Sequence, residues 1–189
     1  IIYDLSKEYF ISDDGLTWVF KLREDADFTD GKQVTAEDVV FTFETAKDSG
    51  SIVDLTNMKS INSLDSFTVE FNLHKPDLSF AYTIVATGIV PKHAYGLNYG
   101  EDPIGSGPYI LTQWDKGQQV VMLANENYYG DVPKIKKETI LFLSEDAALA
   151  AAKAGQLDIA ATSPDLANQS IPNMELKSLD TIDNRGLVL

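Results

Sequence analysis

The stretch Asp102–Tyr109, DPIGSGPY, carries residue types from which proteins build phosphate loops and nucleophile elbows. A phosphate loop needs its glycines to lead into a helix N-terminus, whereas Gly107 leads into Pro108 and a predicted strand. The next lysine is Lys116, and the spacing Gly105-Ser106-Gly107 is too short for Gly-x-Ser-x-Gly. We therefore interpret the stretch as a structural bend, in which glycine supplies unusual backbone angles and proline fixes the start of the strand.

The other polar and aromatic side chains form no catalytic or metal-binding pattern. His74 and His93 fit no metal-ligand spacing, and we expect both on the surface. The chain has no cysteine, which excludes disulfides, zinc-thiolate sites and thiol nucleophiles. Four aromatic residues could stack on a ligand, but we expect each in the core or at its rim: Trp18, Trp114, Tyr128 and Tyr129. The sequence thus predicts no enzyme, no metal site and no cofactor.

Composition is typical of a globular protein and argues against several partners. The 189 residues can bury a real core, as one domain or two small ones. A net charge of −14 without a Lys/Arg cluster predicts no binding to nucleic acid or anionic lipid. No run approaches the ~20 apolar residues of a membrane span. Because Ile1–Asp4 lacks a signal-peptide pattern and Gly186–Leu189 is an apolar end, we expect a fragment of a longer protein.

Three segments predict helices. Residues 35–50 begin with Thr-Ala-Glu-Asp, and we expect the Thr35 hydroxyl to accept from N–H groups of the first turn. A second helix is expected over 77–86, and a third over 147–154 after a cap at Ser144.

Alternating apolar and polar residues predict strands. The clearest are 16–22 and 66–73, and we expect 58–64 to pair with the latter. In the second half, 109–114 and 119–124 predict a hairpin. We expect further strands at 135–143, 157–160, 176–179 and 186–189. The predicted fold class is α/β, of a mixed α+β kind.

Four segments together resemble the oligopeptide/dipeptide-binding family 5, the extracytoplasmic solute-binding proteins of peptide and nickel ABC importers. These segments are Ile11–Glu44, Pro103–Trp114 (PIGSGPYILTQW), Asn125–Lys137 (NENYYGDVPKIKK) and Lys153–Ala160 (KAGQLDIA). Three positions depart from the family's pattern: Ser106 replaces threonine, Tyr129 replaces tryptophan and Leu157 replaces isoleucine. Order and spacing nevertheless agree across nearly the whole chain.

The resemblance implies part of a two-lobed protein with a type II periplasmic-binding-protein fold. Residues 1–100 would be the extra subdomain of the first lobe, and 101–189 its mixed-sheet core, ending near the crossing between lobes. A solute, with peptide preferred, would bind between the lobes, and the closed protein would dock on a membrane ABC permease. The resemblance further implies a monomer in the periplasm or lipid-anchored outside the cell membrane.

Ligands of mixed sheets bind beyond the ends of strands, near the points where the chain crosses between lobes. This indicates two segments, 162–163 and 183–185, as the candidate binding site. Their residues are Thr162, Ser163, Asp183, Asn184 and Arg185. Arg185 is the preferred single candidate, because a guanidinium can hold a peptide carboxylate or an anionic chelate. For these residues ordinary surface loops remain the alternative.

The sequence is also compatible with other functions. Within the same family, nickel chelates and oligosaccharides are alternative cargoes. A transcriptional regulator that uses a solute-binding module as its sensor is also conceivable. A hydrolase is disfavoured, because two isolated histidines and no cysteine offer no nucleophile with a base in reach.

Overall fold

The structure is a computed structural model that describes residues 4–49, 53–163 and 171–177. It divides the chain into two compact units, Ile1–Ile140 and Leu141–Leu189. The described residues form a four-stranded sheet, a three-stranded sheet and three helices, of which the third lies in the second unit. The mixed α/β class predicted from the sequence is confirmed.

The four-stranded sheet forms from the alternating segments. Its strands are β1 (Ser6–Ile11), β2 (Thr17–Leu22), β3 (Met58–Asp65) and β4 (Thr68–Leu73), in the order β1-β2-β4-β3. All neighbours are antiparallel, and β3 pairs with β4 as the sequence predicts. Every second residue of β4 is buried, so one face of the sheet lies on the core.

Helix α1 (Ala36–Ser49) covers this buried face, since Val39 and Phe43 belong to the same core as Trp18 and Phe71. Its N-terminus is not capped in the way predicted. The Thr35 hydroxyl donates to the Asp38 carboxylate over 2.8 Å, and the Thr35 backbone N–H donates to the same oxygen over 2.9 Å. A carboxylate is the stronger acceptor and is favoured at the positive end of the helix dipole.

Helix α2 (Phe80–Ile84) is shorter than the predicted 77–86. The Asp77 carboxylate accepts from the backbone N–H and the hydroxyl of Ser79. Residues 77–79 therefore form a turn before the helix and not its first turn. Phe80 is buried against the rings of Trp18 and Phe71, and so attaches α2 to the core.

The three-stranded sheet contains the predicted hairpin. Its strands are β5 (Tyr109–Asp115), β6 (Gln119–Ala124) and β7 (Lys137–Leu141), in the order β5-β6-β7. Gly117 has φ +75° in the connecting turn, the left-handed region that favours glycine. Among the residues of these three strands only Val121 and Ala124 are buried.

The second unit contains helix α3 (Glu145–Lys153), capped by the predicted Ser144, whose hydroxyl accepts from the Ala147 N–H. The strand predicted at 157–160 is wrong, because these residues are irregular and Ile159 is exposed. No described residue pairs with them to satisfy a strand's backbone groups. Residues 176–177 are likewise not in a strand, and the rest of 176–179 and all of 186–189 lie outside the described residues.

No helix in the described part of the chain has the length and apolar character needed to cross a bilayer.

Candidate functional site

The paired-glycine stretch is held by its carbonyl oxygens. The Gly105 carbonyl accepts from the Thr29 backbone N–H over 2.8 Å, and the Gly107 carbonyl accepts from the Asn125 side-chain amide over 3.0 Å. An anion site requires N–H groups that converge on the ligand, whereas these contacts use carbonyl acceptors, and Pro108 has no N–H. The prediction of a structural bend leading into β5 is confirmed.

The predicted reason for the two glycines is wrong in one respect. Neither Gly105 nor Gly107 lies in the left-handed region, and a Cβ at Gly107 would meet no atom within 4 Å. The bend therefore depends on its hydrogen-bond partners and not on backbone angles reserved for glycine.

Asn125 joins this bend to the loop that follows β6. Its side chain is buried, its amide donates to Gly107, and its own backbone N–H donates to the Pro108 carbonyl over 2.8 Å. Its Oδ1 accepts from the Asn127 N–H over 3.1 Å. Two of the segments that carry the family resemblance are thus connected through one buried amide.

Asp38 connects a third such segment to the chain near residue 92. Oδ2 holds Thr35, as described above, while Oδ1 accepts from the Lys92 backbone N–H over 2.9 Å. One turn further along α1, the Thr42 hydroxyl donates to the Asp38 carbonyl and accepts from the Val90 N–H over 3.0 Å. Both side chains are buried, so these polar groups serve the packing of the chain.

The structure describes two of the predicted site residues, Thr162 and Ser163. Both contact Glu145, the first residue of α3. The Glu145 carboxylate accepts from the Thr162 hydroxyl over 3.4 Å and from the Ser163 backbone N–H. The sequence predicts for Glu145 only a place at the helix start, and not this contact. The other three candidates, Asp183, Asn184 and Arg185, lie outside the described residues.

The histidines and aromatic residues are placed as follows. His74 is exposed, and His93 Nε2 lies 2.7 Å from Asp30 Oδ2, with the His93 side chain 29% exposed. Trp18 is buried in the core and Trp114 is 41% exposed. The described residues contain no group of three or more His, Cys, Asp or Glu arranged to hold a metal.

Tyr128 and Tyr129 lie at the edge of the core, and both hydroxyls donate to Asp4 Oδ1, over 3.1 and 2.8 Å. Burial and then the nearby Asp4 raise the pKa of Tyr129 well above its usual range. Sequence reasoning missed this contact, which spans more than 120 positions. The one available signal was that tyrosine, with its hydroxyl, stands at position 129 where the resembling family has tryptophan.

Comparison with known proteins places this geometry in context. The model of the bacterial extracellular solute-binding proteins, family 5 (middle region), matches residues 1–187. Among curated proteins, Protein XP55 of Streptomyces lividans is 36% identical over 173 residues, which is 83% of this chain and 31% of that protein. The probable D,D-dipeptide-binding periplasmic protein DdpA of Escherichia coli is 33% identical over 156 residues, covering 76% of this chain and 30% of that protein.

Solved structures show the same likeness. NikZ from Campylobacter jejuni, in complex with Ni(L-His), has a TM-score of 0.82 at 33% identity, covering 87% of this chain and 36% of NikZ. The oligopeptide-binding protein AppA from Bacillus subtilis, in complex with a nonapeptide, has a TM-score of 0.72 at 30% identity, covering 82% of this chain and 34% of AppA. The chain spans about a third of the length of these relatives.

Proposed function

The chain belongs to the bacterial extracellular solute-binding proteins, family 5, and from this premise we propose that the protein is the substrate-binding component of an ABC importer. The single observation that carries the proposal is the family match over residues 1–187. The protein binds a solute between two lobes, closes by a hinge motion and delivers the solute to a membrane permease. It acts outside the cytoplasm as a monomer, in the periplasm or lipid-anchored, and it catalyses no reaction.

The proposed ligand is a peptide. DdpA is named as a D,D-dipeptide-binding protein and AppA was solved with a nonapeptide. A nickel chelate is the second candidate, because NikZ, which was solved with Ni(L-His), has a TM-score of 0.82 to this chain. The two ligands share a carboxylate, so a guanidinium such as that of Arg185 suits either one.

We propose that residues 1–100 form the extra subdomain and 101–189 the mixed-sheet core of the first lobe. The four-stranded sheet supports this division because it has its own buried core. The strands of 109–141 instead leave large apolar side chains uncovered, which a lobe core would not do alone. They are Trp114, Leu123, Ile140 and Leu141, each at least 39% exposed. In the intact protein, polypeptide from the other two thirds of the length typical of the family covers this sheet.

The proposed cleft residues are Thr162, Ser163, Asp183, Asn184 and Arg185. The contact of Glu145 with Thr162 and Ser163 supports the first pair, because it orders their backbone beside the N-terminus of α3. Ordered hydroxyl groups of this kind can fix the orientation of a bound polar solute.

Calorimetry on the intact protein tests the proposal. We would titrate it with di- to nonapeptides and, separately, with Ni²⁺ and L-histidine together. Saturable binding of peptides supports the main proposal, and saturable binding of the nickel–histidine complex alone supports the second candidate. Failure of every peptide and chelate to bind or to raise the melting temperature would contradict both, because a ligand that binds only the folded protein must stabilise it.

A further inference from the structure

A compact polar cluster joins the beginning of the first unit to the loop after β6. Asp4 stands two residues before β1, and its Oδ1 accepts from the hydroxyls of Tyr128 and Tyr129 over 3.1 and 2.8 Å. The two rings lie 4.5 Å apart, centroid to centroid, so the tyrosines contact each other as well as the carboxylate. Two phenols on one ionised oxygen are charge-assisted donors, the stronger class of hydrogen bond.

Arg23 is the second side chain that holds Tyr129. Its guanidinium carbon lies 4.8 Å from the centroid of the Tyr129 ring, and Nη2 donates to the Tyr129 carbonyl over 3.2 Å. The Arg23 guanidinium is itself oriented by Asp25, which accepts two parallel hydrogen bonds of 2.9 Å. Arg23 follows the last residue of β2 directly. The four-stranded sheet is therefore connected to Tyr129 at two points, through Asp4 and through Arg23.

Gly130 provides the space that the arrangement needs. A Cβ at this position would lie 2.6 Å from Cε1 of the Tyr128 ring, closer than real contacts allow. The Tyr128 ring therefore packs directly over the Gly130 backbone. This is a spatial requirement for glycine, because Gly130 is not in the left-handed region.

The cluster lies beside the second apolar core of the unit. That core consists of Ala26, Phe28 and Val34, and the partly buried residues packed on it are Leu5, Ile89, Ile104 and Tyr129. It brings together the chain near β1, the segments after β2 and after α2, the segment before β5 and the loop between β6 and β7. Tyr129 belongs to both the polar cluster and this apolar core.

We propose that Asp4, Tyr128, Tyr129 and Arg23 form a tyrosine latch that holds the two sheets of the first unit in one arrangement. The latch fixes the entering end of β1, an edge strand, to the loop that leaves β6. An edge strand has one paired neighbour, so its end frays unless another contact holds it.

The latch requires neutral phenols and an ionised Asp4. The charged groups that face Tyr129 are Asp4 and Arg23, Tyr128 is its titratable neighbour, and Asp25 contacts Arg23. Burial and Asp4 raise the pKa of Tyr129, so its contribution is complete below pH 10.0, the ordinary tyrosine value, and is lost as the pH rises beyond it. The contribution of Tyr129 is therefore complete throughout the neutral range.

Hydrogen exchange of the intact protein, followed by mass spectrometry on peptides, tests the latch without any solute. In Tyr129→Phe and in Asp4→Asn, we expect the amides of residues 6–11 to exchange roughly tenfold faster or more, the effect of losing a hydrogen bond to a charged group. Combining the two substitutions should add nothing beyond Asp4→Asn alone. Tyr109→Phe is the matched control, because it removes a tyrosine hydroxyl that donates to the Ile135 carbonyl over 3.0 Å outside the latch. Effects that add, or rates in 6–11 that match Tyr109→Phe, would overturn the proposal.

An alkaline titration gives a second readout that does not need Asp4→Asn to fold. The ultraviolet absorbance of tyrosinate in the wild type, minus that of Tyr129→Phe, isolates the ionisation of Tyr129. We expect that phenol to ionise after the exposed tyrosines, and earlier in Asp4→Asn if this variant folds. A Tyr129 that ionises together with the exposed tyrosines would refute the latch. Since neither experiment involves a ligand, a failed latch and a failed transport proposal remain distinguishable.

Discussion

The side-chain amide of Asn125 donates to the carbonyl oxygen of Gly107 over 3.0 Å and thereby ties the paired-glycine bend to the loop after β6. This contact explains why Asn125 is buried although it is polar: its amide and carbonyl groups both have backbone partners. The bend is a structural joint between two segments that resemble the same family.

Asn125→Ala should lower the free energy of unfolding by about 2 kcal/mol, since it leaves the Gly107 carbonyl without its partner. Urea unfolding, monitored by circular dichroism, measures the change. Ser106→Ala is the control. Its free energy of unfolding should lie within about 0.5 kcal/mol of the wild-type value if the bend is structural. If Ser106→Ala proves as destabilising as Asn125→Ala, the assignment of the bend to Asn125 fails.

Asp38→Ala should destabilise the protein by about 2 kcal/mol or more, because it removes the acceptor for Thr35 and for the Lys92 backbone. Glu37→Ala is a matched control on the preceding residue. The Glu37 carboxylate forms a 3.3 Å ion pair with Lys92 in which both side chains are more than half exposed, so its loss should cost less than about 1 kcal/mol. Equal denaturant midpoints for the two variants would contradict the role given to Asp38.

Gly117→Ala should destabilise the hairpin by roughly 1–2 kcal/mol, because alanine is strained at φ +75°. The contrasting substitution is Gly107→Ala, at a glycine with no positive φ and no atom within 4 Å of a Cβ. We expect it to be tolerated in thermal unfolding. A large loss of melting temperature in Gly107→Ala alone would show that the bend does need a glycine backbone.

The pH dependence of stability should include a contribution from Asp30 on the acid side. Burial alone would raise the pKa of Asp30, but hydrogen bonds from His93 and from the Lys32 N–H outweigh it and the pKa is lowered. A carboxyl group whose pKa is lowered in the folded protein stabilises the fold at pH values above its ordinary pKa of 3.8. This stability is lost as the pH falls through the lower pKa of the folded state. His93→Ala should therefore flatten the acid limb of a plot of urea midpoint against pH. If the acid limb of His93→Ala is identical to that of the wild type, the contact between Asp30 and His93 does not contribute to the pH dependence of stability.

Arg185→Ala in the intact protein should weaken binding of the identified peptide or chelate by about tenfold or more, the usual loss for a hydrogen bond to a charged group. Isothermal titration provides the dissociation constant. Lys153→Ala, a cationic residue in the last turn of α3, controls for the change in net charge. If the two variants bind the ligand equally well, Arg185 is not a residue of the binding site.

The sequence alone determined the features that depend on near neighbours in the chain. The alternation in 66–73 predicted β4, the Asp115–Gly117 turn predicted the hairpin, and Ser144 predicted the cap of α3. The four segments in register also predicted the family, now shown by its match to residues 1–187. These features are readable because periodicity, turn chemistry and capping act within a few residues.

Only the tertiary structure decided which distant groups satisfy one another. Asp38 serves both Thr35 and Lys92, Asn125 holds Gly107, and Tyr129 reaches Asp4 across the first unit. The failed strand at 157–160 has the same origin, because four suitable residues form no strand when no described residue pairs with them. Buried polar atoms must find partners, but nothing local in the sequence specifies a partner more than a hundred positions away; packing of the sheets makes that choice.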